Sequence, residues 1–322
     1  MKRSDLRDAW EEMLTGRSFV LACHERPDGD CLGASLALSR ALSAHGKNAY
    51  VLSSDGVPDH YRFLPGSGDV VRSTEGLEFD VAVLVDSELT KRAGEQGKAL
   101  ERAPLQVRVD HHPSPDGFGR IRVVDSAASS TCEIVAELLE ANDIAIDADT
   151  ATLLFAGIVF DTGGFRFQNT SPRTLEIASQ LASRGAKPSV ISREVFESRP
   201  LRAMKLLGVA LESLELVDDG RIVYGRIAHD DFTALGATDA DSEGAVNQVA
   251  SVKGPIVAIL FREPQPGSVR VSLRSRDGFD VNRIARVFEG GGHAAAAGCT
   301  VNGTLDEAVV RVLAEVRRWM ES

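Results

Sequence analysis

Ser18-Phe19-Val20-Leu21-Ala22-Cys23-His24-Glu25-Arg26-Pro27-Asp28-Gly29-Asp30-Cys31-Leu32-Gly33 is the stretch on which the fold turns. Residues 18–23 form an apolar run of strand length, read as a buried strand. From residue 31 to residue 45 the pattern changes. Leu32, Leu36, Leu38 and Leu42 recur at helical spacing, and Gly46 supplies a stop signal. Between strand and helix lies one tight polar loop, shaped by Pro27 and Gly29. In open α/β sheets this junction, beyond the carboxyl end of a strand, is where ligands bind.

The same alternation extends outward. Residues 48–53, 79–86, 105–110 and 120–125 read as strands. Residues 131–142 and 150–160 read as helices, and Ser171-Pro172 opens another that ends at Arg184-Gly185. Strands alternating with helices predict an α/β domain whose sheet is mainly parallel and flanked by helices. Residues 186–200 read as a partly helical connector punctuated by Pro188 and Pro200. The second half predicts a helix over 201–214, strands over 221–228, 255–261 and 268–274, and helices over 242–252, 280–289 and 305–320. The expected organisation is a first domain over 1–185, a linker over 186–200 and a smaller α/β domain over 201–322.

The 322 residues are 43% hydrophobic, enough for a core in each half. The net charge is -11. A protein that tracks long nucleic acid carries a basic stripe, so a polymer substrate is disfavoured and a small phosphorylated ligand stays open. Part of the acidity is of a kind that bound cations would offset. No run approaches the roughly 20 apolar residues of a membrane span. Residues 1–10 are charged and lack the apolar stretch of a signal peptide, so a cytoplasmic location and no membrane partner are expected. Cys23, Cys31, Cys132 and Cys299 form no metal-binding or disulfide spacing and read as buried reduced thiols.

Four clusters carry the chemistry. His24, Asp28 and Asp30 put one imidazole and two carboxylates on a single loop. Without a cation these acids repel one another, although Asp28 and Asp30 could instead cap the next helix. Asp86 ends the apolar run Val81-Ala82-Val83-Leu84-Val85 and can reach the same rim, or serve as a turn residue. Asp110-His111-His112 ends another strand. Adjacent histidines on extended backbone diverge, so one is expected as a ligand and the other as a contact to substrate or a proton donor, with Asp110 orienting a ligand histidine. Asp161 closes the apolar helix at Phe160-Asp161-Thr162-Gly163-Gly164. Alone, each cluster has an ordinary structural explanation. Together, two histidines and four carboxylates suit a pair of hard divalent ions, Mn²⁺ or Mg²⁺ rather than structural zinc. Two such ions about 3.5–4 Å apart are the usual clamp for phosphoryl hydrolysis. In the second half, Gly290-Gly291-Gly292-His293 exposes backbone N–H groups. A helix beginning after His293 would aim its positive end at a phosphate, or the segment could be a tight helix junction. Arg274 could add a bidentate phosphate contact.

The ordered set His24-x-x-x-Asp28-x-Asp30, Asp86, Asp110-His111-His112, Asp161-Thr162-Gly163 and Gly290-Gly291-Gly292-His293 resembles the DHH family of phosphoesterases with a C-terminal DHHA1 domain. The likeness spans nearly the whole chain. It implies two linked domains with a Mn²⁺-dependent site in the cleft between them, Mg²⁺ or Co²⁺ being alternatives. His24, Asp28 and Asp86 would hold one metal. Asp30, Asp86, His111 and Asp161 would hold the other, with Asp86 bridging. Asp110 and His112 would be the catalytic residues, Asp110 lying behind the ligands and His112 facing substrate, while Arg274, Gly291, Gly292 and His293 would grip a nucleotide. The DHHA1 domain and the chain length point to the NrnA-like branch, nanoRNases that also act on 3′-phosphoadenosine 5′-phosphate. The resemblance leaves a homodimer possible. The expected chemistry is in-line attack of activated water on the phosphorus of a small nucleotide or an oligonucleotide of about two to five residues, by family resemblance and the two-ion logic. A cyclic-di-AMP phosphodiesterase and a nucleotide-binding regulator without catalysis are the competing readings.

Overall fold

The computed structural model describes residues 2–113 and 117–320. The chain divides into two compact units, Met1–Ser198 and Arg199–Ser322.

In the first unit the elements run α1 (Arg3–Met13), β1 (Ser18–Ala22), α2 (Gly29–Ala44), β2 (Asn48–Leu52), β3 (Val81–Val85), α3 (Gly97–Leu100), β4 (Leu105–Asp110), β5 (Ile121–Val124), α4 (Thr131–Ala141), α5 (Ala148–Asp161), α6 (Pro172–Ser183) and α7 (Pro188–Phe196). The strands form one sheet in the order β2-β1-β3-β4-β5, and every pairing in it is parallel. β3 lies at its centre and is buried along its whole length. That explains why it reads as an unbroken apolar run rather than an alternating one. One face of the sheet carries Phe19, Leu21, Val81, Val83 and Val85 against α2 and α4, and α5 packs on those two helices. The other carries Val20, Ala22, Ala82 and Leu84 against Leu100 and Phe118. Each of these larger side chains contributes roughly 1.5–3 kcal/mol by leaving water.

The charged N-terminal segment, read from sequence only as lacking a signal peptide, is the amphipathic helix α1. Its Leu6, Ala9, Trp10 and Met13 form the buried stripe. The connector is mostly the helix α7, packed on α5 through Ile191 and Val195 within the first unit.

In the second unit the elements are α8 (Leu201–Glu212), β6 (Glu215–Val217), β7 (Ile222–Ile227), α9 (His229–Leu235), α10 (Ala245–Val249), β8 (Val257–Gln265), β9 (Ser268–Ser275), α11 (Val281–Val287), β10 (Gly291–His293), β11 (Ala296–Asn302) and α12 (Leu305–Met320). The sheet order is β10-β11-β9-β8-β7-β6. β7 and β8 pair in parallel and the remaining pairs are antiparallel. α11 and α12 cover one face with Ile284, Val312 and Val316, and α8, α9 and α10 cover the other with Leu206, Phe232 and Val249. The helix expected over 242–252 is shorter, because Asp239–Ser242 is a separate 3₁₀ turn closed by a Thr238–Asp241 capping box.

The expectation of a helix after His293 is wrong, and so is that of a helix junction. Residues 291–302 form a β-hairpin with His293 opposite Ala296. The four alanines have high helix propensity, but β11 pairs with β9 from Ala296↔Arg274 to Asn302↔Ser268. The turn carbonyls of Ala294 and Ala295 accept from the N–H groups of Val281 and Ser275. Tertiary pairing overrides local preference. The glycines serve close approach: a Cβ on Gly290 would lie 2.2 Å from the Gly298 carbonyl oxygen. Gly292 has φ 141°, and a Cβ there would lie 2.5 Å from the Ala296 oxygen.

Candidate metal centre

The strand order reverses direction between β1 and β3, so the crevice beyond their carboxyl ends is the topological switch point of the sheet. The loop after β1 brings His24. Asp86 directly follows β3, and Asp110 ends β4 with His111 and His112 after it. Asp161 arrives from the last residue of α5. All six proposed ligands belong to the first unit.

Asp28 is the N-cap of α2. Its Oδ1 accepts from the Asp30 and Cys31 N–H groups at 3.0 Å, while Oδ2 lies 3.7 Å from His24 Nε2. The capping alternative holds for Asp28 through Oδ1, which leaves Oδ2 facing His24. His24 Nδ1 is 2.8 Å from the Glu25 carbonyl oxygen. A carbonyl only accepts, so Nδ1 carries a proton there, and Nε2 is the atom that faces Asp28 and Asp86.

Asp86 is the hub. Its Oδ2 is 3.5 Å from His24 Nε2, and its Oδ1 is 3.5 Å from His111 Nε2. Its φ of 56° is left-handed, a conformation that Asp tolerates better than most residues at a cost of roughly 1–2 kcal/mol. The turn is held by its N–H, which donates to the Val109 carbonyl at 2.9 Å. His111 Nε2 lies 3.2 Å from Asp161 Oδ2. Asp30 is fully buried and accepts from two backbone N–H groups at the start of α4, Thr131 at 2.7 Å and Cys132 at 2.8 Å. Donor atoms of Asp30, Asp86 and His111 lie within 4.8 Å of one another, and so do those of His24, Cys31 and Asp86.

The electrostatics are those of a cation site. Burial pushes Asp30 well above the usual carboxylate range, and the charges of Asp86 and Asp28 push it further. Burial does the same to Asp161, joined by the charges of Asp30, Asp28 and Asp86. Burial works against the imidazolium of His24, yet Asp28 and Asp86 hold it well above the ordinary histidine value. Burial would also raise Asp86. A hydrogen bond with His24 and the neighbouring charges of His112 and His111 take it below the usual range instead. Burial lowers His111 despite Asp86. Four carboxylates gathered around two imidazoles, with burial and mutual charge raising two of the acids, fit hard divalent cations.

Asp110 departs from expectation. It orients His112, not the ligand-type His111: Oδ1 is 2.6 Å from His112 Nδ1 and accepts the His112 N–H at 3.1 Å. Its Oδ2 accepts from Nε and Nη2 of Arg108 at 2.9 and 2.5 Å. The two histidine rings diverge at 64°. Burial works to lower His112, but Asp110 raises it above the ordinary value. Arg108 is fully buried and was not singled out from sequence. An arginine inside the apolar run of β4, two residues before an aspartate on the same face, was the available signal. Thr131, Glu133 and Asn169 were missed as well. Ser130-Thr131-Cys132-Glu133 has the spacing of a helix capping box. Ser130 does cap α4, but Glu133 turns to Ser129 instead of back to Ser130.

In the second unit Arg274 is half-buried. Its Nε donates to Asn247 Oδ1 at 2.9 Å and its Nη1 to the Leu273 carbonyl at 3.0 Å. Burial, then the neighbouring Arg262, lower its guanidinium to about 10. Gly291, Gly292 and His293 make up the edge strand β10. Three cysteines are buried, whereas Cys299 is only half-buried, against the expectation for all four.

Residues 18–158 match the DHH family, N-terminal domain, and residues 219–322 match the DHHA1 domain. The chain belongs to the DHH family and carries a DHHA1 domain. Among similar proteins, it is 34% identical over 300 residues to the bifunctional oligoribonuclease and PAP phosphatase NrnA of Thermus thermophilus, covering 93% of this chain and 89% of that protein. It is 31% identical over 304 residues to the protein of the same name from Bacillus subtilis, covering 93% of each. A solved structure of an exopolyphosphatase-related protein from Bacteroides fragilis superposes with a TM-score of 0.88 at 28% identity, covering 98% of this chain and 96% of that one. No helix among the described residues is long and apolar enough to cross a membrane.

Proposed function

We propose that this chain is a two-metal phosphoesterase that hydrolyses very short oligoribonucleotides and 3′-phosphoadenosine 5′-phosphate, with Mn²⁺ as the working ion. The observation that carries the reading is the convergence of both histidine–carboxylate sets on Asp86, one on each of its oxygens. The names of the NrnA relatives support the substrate class. His24, Asp28 and Asp86 would hold one ion, and Asp30, Asp86, His111 and Asp161 the other. Bound ions would activate a water and neutralise charge on the phosphoryl oxygens.

The protein's own part is orientation and proton handling. Arg108 fixes Asp110, and Asp110 fixes the Nδ1–H of His112. Asp110 raises His112 and so favours its protonated form, which could serve the departing oxygen. Arg274 and the strand Gly291–His293 would take the phosphate or base of the nucleotide. An edge strand offers backbone N–H groups, and glycine allows close approach. Cys31, whose thiol lies beside His24 and Asp86, is a neighbour of the centre and not a ligand in this reading, since it donates to the Val85 carbonyl.

The test offers purified protein pApA, 3′-phosphoadenosine 5′-phosphate and cyclic-di-AMP in parallel with Mn²⁺, and separates products by chromatography. Release of AMP from the first two, lost in Asp86→Asn, is the expected result. Preference for the cyclic substrate would move the assignment to a cyclic dinucleotide phosphodiesterase. Binding of Mn²⁺ without cleavage of any of the three would leave a nucleotide-binding regulator.

A further inference from the structure

Ser129, Ser130 and Thr131 form a short strap at the start of α4, and the hydroxyls of all three are hydrogen-bonded. Inward, the Thr131 hydroxyl donates to Asp86 Oδ1 at 2.9 Å. The Thr131 and Cys132 N–H groups occupy both oxygens of Asp30. Outward, the strap is pinned by Glu133, which is fully buried. Glu133 Oε2 accepts from Ser129 Oγ at 2.6 Å and from Thr174 Oγ1 at 2.7 Å. Its Oε1 lies 3.1 Å from Arg173 Nε, and Arg173 is braced in turn by Asp125 and Glu137. Asn169 ties the strap to the remaining acid: its Nδ2 donates to the Ser129 carbonyl at 2.9 Å and to the Asp161 carbonyl at 3.1 Å.

The contact with Asp86 is one-sided. Oδ1, the oxygen near His111, takes the Thr131 hydroxyl, whereas Oδ2, the oxygen near His24, does not. A hydrogen bond to one oxygen of a carboxylate leaves it a single lone-pair direction for a further partner. That fixes the rotation of Asp86 about its side-chain bonds and, with Asp30 clamped by the same residue, sets the geometry of one half of the centre.

We propose that Thr131 is a positioning residue for the metal held by Asp30, Asp86, His111 and Asp161, and that Glu133 and Asn169 act through it. This inference rests on the two-metal reading of the centre. Groups that orient ligands in this way typically change metal affinity by about 10- to 100-fold when removed. Thr131→Val keeps the shape and removes the hydroxyl, leaving the backbone N–H contacts to Asp30 in place. Thr131→Ser restores the hydroxyl without the methyl group.

The experiment is a Mn²⁺ titration of the full metal-free chain, followed by calorimetry and by the electron paramagnetic resonance of free Mn²⁺, with thermal unfolding of each metal-free variant alongside. The expected result is two ions per wild-type chain, and one weakened by about 10- to 100-fold in Thr131→Val. The second ion should remain unchanged, Thr131→Ser should regain wild-type affinity, and the metal-free melting temperatures should agree. Two ions bound equally well by wild type and Thr131→Val would overturn the inference alone. So would equal weakening of both ions, or failure of Thr131→Ser to rescue. A Thr131→Val chain that unfolds without metal would shift the reading to Glu133→Gln, which leaves the hydroxyl in place. The same selective loss there supports the inference, and unchanged binding of both ions overturns it. A wild-type chain that binds fewer than two ions would overturn the proposed function and this inference together.

Discussion

Burial, then the charges of neighbouring acids, raise Asp30 and Asp161 well above the usual carboxylate range, which gives them an unusual sign in the pH dependence of folding. A carboxylic acid whose folded pKa is raised contributes stability that is complete below the ordinary carboxylate value and is lost as pH rises through the folded value. His24, also raised, works in the same direction, its contribution disappearing as pH climbs above the ordinary histidine range. Divalent ions bind the deprotonated forms of all three. Two outcomes follow. Mn²⁺ binding near neutral pH should release protons, seen as calorimetric heats that vary with the ionisation enthalpy of the buffer. The rise in melting temperature on adding Mn²⁺ should grow from mildly acidic to mildly alkaline pH. No dependence on buffer, or a stabilisation that shrinks with pH, would contradict this account. At this scale the sequence was informative where chemistry is local. His24, Asp28, Asp30, Asp86, His111 and Asp161 were legible because acids and histidines at the ends of apolar runs have few other reasons to gather. Arg108 and Thr131 were not, because their partners are decided by strand register and by the approach of α4.

Gly157 shows how the elements are set around the centre. It lies within α5, where replacing glycine with alanine ordinarily stabilises by up to about 1 kcal/mol. Here a Cβ would sit 2.3 Å from Cys132 Sγ and 2.8 Å from Asp30 Oδ1. The overpacking should prevail, with Gly157→Ala losing roughly 1–3 kcal/mol and weakening Mn²⁺ binding, as denaturant melts and metal titration would report. A stabilised variant would show that α2, α4 and α5 pack less tightly than described. The hairpin of the second unit supports a paired prediction. Gly290→Ala should destabilise by about 1–3 kcal/mol through collision with Gly298 and Cys299. Gly291→Ala, whose Cβ meets nothing within 4 Å, should leave the melting temperature nearly unchanged and raise KM for the dinucleotide. This is also where sequence reading failed. The parallel sheet of the first unit was legible because short apolar runs, β3 the purest of them, alternate with helical patterns. The alanine run after His293 carries a local helix signal, and only its pairing with β9 makes it a strand.

Each unit of the whole molecule has its own core, one built on Phe19, Leu21 and Val83 and the other on Ile259, Phe261 and Val271. Residues 199–322 expressed alone should therefore fold cooperatively, giving a circular dichroism spectrum with strand and helix contributions and a single thermal transition. A featureless melt would mean that the second unit depends on the first. The net charge of -11 bears on substrate size. If only one or two phosphates are contacted, KM should change by no more than about tenfold between 50 and 200 mM salt, against about 10³–10⁵ for six to ten contacts. Turnover should also fall steeply once the oligonucleotide outgrows a few residues. The acidic balance was plain from composition, and the division into units was suggested by the prolines at 188 and 200. The packing of α7 onto α5 was not, since it depends on the complementary faces of two distant segments.

The left-handed backbone at Asp86 also bears on how such a chain drifts under selection. Glycine occupies that conformation with no side-chain penalty, yet Asp86→Gly would leave the Thr131 hydroxyl without its acceptor and His24 and His111 facing a void. A lineage released from the need for catalysis could relieve the backbone here only by rebuilding those contacts as well.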